Sequence, residues 1–205
     1  MERDLVKRAY PLWKVCIALL ALLALLFASQ SFFRLPGGHV NAHATSTPKN
    51  GDPIYMSYQD IEGDVTASGY EHQIELSSFQ WGVGRGISTG AAGGREVAAP
   101  KLSEITITKS LDSSSPKLLQ ASLNGEGKTV TINFVKFANG IASTYLQIKL
   151  TSTLVSSFSM SSGGDSPTES LSLNFNRIEV KYPGFADTAG AIPTVRWDIA
   201  LAGPF

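Results

Sequence analysis

Long stretches of this chain alternate apolar and polar side chains with a period of two, and that alternation limits the fold more than any other feature. Ile105 and Ile107 alternate with Thr106 and Thr108, and Val130, Ile132 and Phe134 with Thr129, Thr131 and Asn133. Leu146, Ile148 and Leu150 alternate in the same way with Gln147, Lys149 and Thr151. Successive side chains of a strand point to opposite faces, so each run buries one face and wets the other, as antiparallel strands do. In two places the parity slips. Leu171, Leu173 and Phe175 give way to Ile178, Val180 and Tyr182, and Ile74 and Leu76 give way to Phe79, Trp81 and Val83. A slip inside a strand implies a bulge, and bulges bend long strands towards closure.

One segment leaves the pattern. Ser115-Pro116-Lys117-Leu118-Leu119-Gln120-Ala121 offers a capping serine, a proline at the first helical position and good helix formers, with Gly125 as the stop. The expected domain over residues 53–205 is therefore mainly β: an antiparallel β-barrel with one short α-helix.

The front of the chain is different. Residues 1–14 hold four basic side chains (Arg3, Lys7, Arg8, Lys14) against two acids, and 19 residues without charge follow, from Val15 to Phe33. As a helix these span about 28 Å, close to the roughly 30 Å hydrocarbon thickness of a bilayer. Trp13 on one side and Phe32, Phe33 and Arg34 on the other suit the two interfaces, and the basic start favours a cytoplasmic N-terminus. The expectation is a transmembrane or signal-anchor helix over 15–33. A cleavable signal peptide competes, because the apolar core stops at Ala28. The small-x-small triplet Ala42-His43-Ala44 lies far downstream of that core. Cys16 opens the apolar run, which does not suit lipid attachment, and as the single cysteine it excludes an intrachain disulfide. Residues 34–52, rich in breakers, read as a linker, on which His39 and His43 lack a third metal ligand.

Chemistry is sparse. The formal net charge is zero, which argues against a nucleic-acid binder. From residue 53 onward there is one histidine, His72, no cysteine, no G-x-S-x-G elbow and no H-E-x-x-H or C-x-x-C. No catalytic residue, metal site or cofactor is expected. The glycine run Trp81–Gly94 lacks phosphate-loop spacing, since Gly84 and Gly86 lead to Thr89 and no G-K-[ST] appears, so it reads as a long hairpin loop. Trp81 and Trp197 read as core residues on alternating strands, and Glu62, Asp64, Glu71 and Glu75 as solvated charge.

Several phrases together resemble the Hcp family of bacterial type VI secretion. They are Ile54-Tyr55-Met56 with Asp60–Asp64, Glu71–Val83 with its aromatic-x-aromatic-Gly ending, the strand-to-helix stretch Ser103–Ser122, Leu154–Ser157, Pro167–Glu169, Leu171–Tyr182 and Trp197-Asp198. The resemblance implies a small β-barrel with one helix that forms a homo-hexamer. It implies rings stacked into a tube driven by a sheath, with a spike protein at the tip and cargo effectors in the lumen. Residues 84–99, with Gly84, Gly86, Gly90, Gly93 and Gly94, resemble the loop that contacts the neighbouring ring. Gln80, between core-facing Phe79 and Trp81, falls on the face that the resemblance assigns to the lumen. The apolar front end departs from the family. It implies either a single-pass membrane location, with the domain in the periplasm, or secretion through type VI, and leaves a membrane-anchored monomeric periplasmic binding module on the same fold as the competing reading.

Overall fold

The computed structural model describes residues 51–90, 94–185 and 190–205. The expected anchor 15–33, with Cys16, and the linker histidines His39 and His43 lie outside them. Among the described residues no helix is long and apolar enough to cross a membrane.

Strands β1 (Ile54–Tyr58), β2 (Ile74–Leu76) and β3 (Ser78–Gln80) lead into a ribbon of β4 (Val83–Gly84), β5 (Ile87–Thr89), β6 (Arg95–Val97) and β7 (Lys101–Leu102). Then come β8 (Ile105–Ser110), helix α1 (Ser115–Asn124), β9 (Lys128–Ala138) and β10 (Ile141–Ser161). β11 (Thr168–Asn174), β12 (Arg177–Lys181) and β13 (Thr194–Asp198) complete the fold. Every pairing is antiparallel.

The alternating residues fill the core. Ile105, Ile107, Val130, Ile132, Leu150 and Leu173 are each 0% exposed, and Met56, Ile74 and Leu118 join them. Each such side chain contributes about 1.5–3 kcal/mol when taken from water. The expected barrel does not close. The hydrogen-bonded order runs β2-β1-β9-β10-β11-β8-β3 and stops, while β12 and β13 branch away from β10. β2 and β3 meet only through Ser77, and they bond to different neighbours, β1 and β8. The result is two sheets that share β10 and face each other across the core.

Both parity slips fall where strands turn from one sheet to the other. Between β2 and β3, the Ser77 N–H donates to the Thr108 carbonyl at 2.7 Å. In the 21-residue β10, the N-terminal half bonds to β9 and β12 and the C-terminal half to β11. Register shifts flank the corner, and Ser152 there has φ +53°. The matching break on the partner strand is Phe175–Asn176, where the Asn176 N–H donates to Thr151 O at 3.1 Å. A left-handed residue bends a strand sharply, at a cost for any side chain but glycine. Gly127 closes the corner: a Cβ there would lie 3.3 Å from Ser152 Cα.

The helix differs from expectation by one residue. Ser115 is its first helical residue, and the cap, Ser114, sits at φ −75°, ψ −22° with no side-chain cap bond. Gly125 ends the helix as expected, at φ +65°, with its N–H on Ala121 O at 3.3 Å. The Ser115 hydroxyl is occupied elsewhere.

Candidate functional site

That hydroxyl belongs to a buried ionic cluster. Lys109 on β8 stands opposite Glu169 on β11, and both side chains are 0% exposed. Lys109 Nζ donates to Glu169 Oε2 at 2.8 Å, Asp112 Oδ1 at 2.7 Å, the Ser110 carbonyl at 2.8 Å and Ser115 Oγ at 3.1 Å. Ser115 Oγ in turn donates to Glu169 Oε2 at 2.9 Å and accepts from the Asp112 N–H at 3.1 Å. The cluster ties two strand ends to the start of α1. A buried pair of this kind fixes register and leaves a heavy penalty if one member is lost.

Phe79 and Trp81 pack against the core, and Gln80 between them is exposed. The register carries its face across the sheet. Gln80 pairs with Thr106, Thr106 with Ser172, and Ser157 stands across from Ser172. The next row is Ser78, Thr108, Ser170 and Ser159, with a 2.7 Å hydrogen bond between the Ser78 and Thr108 hydroxyls. A third row is Ser110, Thr168 and Ser161. Cross-strand partners share a face, so three rows present hydroxyls and a single amide. Glu104 marks the margin, where it accepts from Ser156 Oγ at 2.8 Å and Asn174 Nδ2 at 2.9 Å.

The outer face of the other sheet is ionic. Lys149, Glu179 and Arg196 are consecutive partners across β10, β12 and β13. Lys181 Nζ lies 2.8 Å from Glu179 Oε1, and Arg196 bonds the other oxygen. These donors, Lys181 first and then Arg196, hold the Glu179 carboxyl below the usual carboxylate range. At the end of β13, Arg177 Nε donates to Asp198 Oδ2 at 2.6 Å and keeps that carboxyl low as well. The Leu201 N–H, 3.0 Å from Asp198 Oδ1, adds to the effect.

The glycine-rich segment is not a bare loop. β4 pairs with β7 and β5 with β6, so it forms a narrow two-stranded ribbon. Gly84 lies in β4, the Gly86 carbonyl accepts from Ala98 N at 2.9 Å, and the Gly90 N–H donates to Gly94 O at 2.7 Å. Gly93 lies outside the described residues. The structure thus strings Gly84, Gly86, Gly90 and Gly94 along one ribbon that begins just after Gln80. Sequence reasoning missed its apolar pair: Ile87 and Val97 are register partners, 62% and 54% exposed. Two branched residues placed symmetrically about a glycine-rich turn were the available signal.

Elsewhere the expected residues are surface features. His72 is exposed at φ +62°, with Nδ1 4.0 Å from Glu62 Oε2, and Asp64 accepts from the Ser113 side chain. Trp81 and Trp197 are half-buried against the core. Among the described residues no group of three or more His, Cys, Asp or Glu side chains is placed to hold a metal ion.

A family model described as "Type VI secretion system effector, Hcp" matches residues 55–182. Solved structures agree on the fold. Hcp1 of Salmonella typhimurium is 19% identical and superposes with a TM-score of 0.62, over 76% of this chain and 99% of its own. A structure described as a type six secretion system protein gives 22% identity and 0.65, over 75% and 99%. A type VI secretion system effector from Yersinia pestis gives 18% and 0.58, over 71% and 99%. No curated protein matches the chain. With more than half of its length under the family model, from β1 to the residue after β12, the chain belongs to the Hcp family, the tube and effector proteins of type VI secretion.

Proposed function

We propose that this protein assembles into hexameric rings that stack into a tube, with the Gln80 face turned to the lumen and the ribbon at residues 84–99 reaching the neighbouring ring. The observation that carries the proposal is the ribbon. A two-stranded hairpin is marginal in water on its own, yet this one holds Ile87 and Val97 out in solvent. An adjacent ring covers that pair and stiffens the ribbon. Spike protein, sheath and cargo effectors are the remaining partners under this reading, and the protein leaves the cell by type VI secretion. No catalytic step is assigned to it.

The apolar stretch 15–33 supplies the alternative to export: a single-pass membrane location with residues 1–14 on the cytoplasmic side, 34–52 as a linker and the domain at 53–205 in the periplasm. The decisive experiment is sedimentation velocity of the full-length chain in mild detergent, followed by negative-stain imaging. Hexameric rings and short stacks are the expected outcome. A monomer at high concentration would sink the tube reading and favour an anchored periplasmic binding module.

A further inference from the structure

We infer that the hydroxyl face around Gln80 selects an uncharged, polar protein surface as its partner and holds it through neutral hydrogen bonds. This rests on the tube reading and names the cargo chemistry that the lumen accepts.

The three rows of β3, β8, β11 and β10 contain ten hydroxyls and one amide, and no ionisable side chain points outward among them. Lys109 and Glu169, in the same strands, face inward and are fully buried. The contrast with the other sheet, where Lys149, Glu179 and Arg196 stand in one row, shows that the fold does carry charge on an exposed sheet face. A charged group pressed against the three rows loses its water and meets no counter-charge within them, Glu104 at the margin being already held by Ser156 and Asn174, so the desolvation penalty goes without compensation. A neutral polar group meets donors and acceptors that rotate to suit it. The face therefore discriminates by penalising charge of either sign, a repulsive form of specificity.

The test uses the full-length chain and one small monomeric fluorescent protein in three surface versions: neutral, strongly cationic and strongly anionic. After mixing, the assemblies are pelleted and bound fluorescence is read at low and high salt. The neutral version should be retained best, with less than about a twofold change between salts. Thr106→Lys together with Ser170→Lys should reverse the order, raising capture of the anionic version about tenfold at low salt and losing it at high salt. A thermal melt checks that this variant folds, and Gln80→Lys serves in its place if it does not. Preferential retention of a charged version by the unaltered chain, or retention of none, overturns the inference. Sedimentation of the same samples separates the two readings. Absence of rings defeats the tube, and the three probes are then scored on the unassembled chain immobilised on beads in place of pelleting.

Discussion

Lys109 Nζ and Glu169 Oε2 lie 2.8 Å apart, on facing residues of β8 and β11, with neither side chain reaching solvent. The pair sits inside the apolar parity of its strands, in line with Ile105 and Ile107 on one side and Leu171 and Leu173 on the other. The two charges offset each other inside the core, and Asp112 Oδ1 at 2.7 Å adds a second acid to the lysine.

Removing one member should therefore cost more than removing both. Glu169→Leu alone is expected to lose about 3–5 kcal/mol, because it leaves a buried ammonium without its one fully buried counter-charge. Lys109→Met combined with Glu169→Leu should recover much of that loss. Urea unfolding of the single and double variants measures it. Additive losses in the double variant would mean that the pair is not the coupled unit that the geometry implies.

The charged outer sheet gives the domain an acid limit. The carboxyls of Glu179 and Asp198 are held low in the folded state by Lys181, Arg196 and Arg177. A carboxylate whose folded pKa is depressed stabilises above its unfolded value, near 4, and that stability fades as pH falls through the folded value. Unfolding followed as pH is lowered should show a loss beginning at about pH 4–5 and growing below it. Arg177→Ala should flatten the part due to Asp198, leaving a shallower acid slope with less stability at neutral pH. An unchanged slope would show that this contact is too exposed to matter.

Gly63 is buried where the turn after β1 crosses β2. A Cβ at this position would lie 2.5 Å from Gln73 O and 2.8 Å from Ile74 Cα, both backbone atoms that cannot swing aside. Gly63→Ala is expected to destabilise by about 1–3 kcal/mol through overpacking. Gly82→Ala, with open space around it, is the matched control. Equal melting temperatures for the two variants would contradict the close approach.

Gln80 and Ile87 are exposed, so their replacement should spare the fold. Gln80→Arg and Ile87→Ser should each stay within about 0.5 kcal/mol of the parent in unfolding. Ile87→Ser should also shorten ring stacks seen by negative stain. A drop in melting temperature for Gln80→Arg would place that side chain on the packed face.

Much of this was legible because the period-two rule acts locally. Ile105, Ile107, Val130, Ile132, Leu171 and Leu173 are all buried as their parity demands, and the parity slips coincide with the corners at Ser77 and at Phe175–Asn176, the latter beside the Ser152 corner of β10. The rest depends on pairing between distant residues. The sequence contains the bulges but not the partners that β2 and β3 choose, so an open arrangement reads the same as a closed barrel. Lys109 and Glu169 stand at core parity, yet a charge in a strand is normally outside, and only their pairing across 60 positions makes burial tolerable. Ser115 looked like a cap because serine before proline usually is one. Here the buried lysine and glutamate claim its hydroxyl. The hydroxyl face needed the register of four strands before separate serines and threonines became one surface.

β10 belongs to both sheets along its 21 residues. A pull applied to either sheet therefore reaches the other through covalent backbone, without relying on the apolar contacts between them. Sliding one sheet past the other would require β10 itself to straighten or tear its ladders, so the domain resists shear along the strand. Under the tube reading, in which stacked rings are pushed through a confined space, such stiffness is built into the path of the chain.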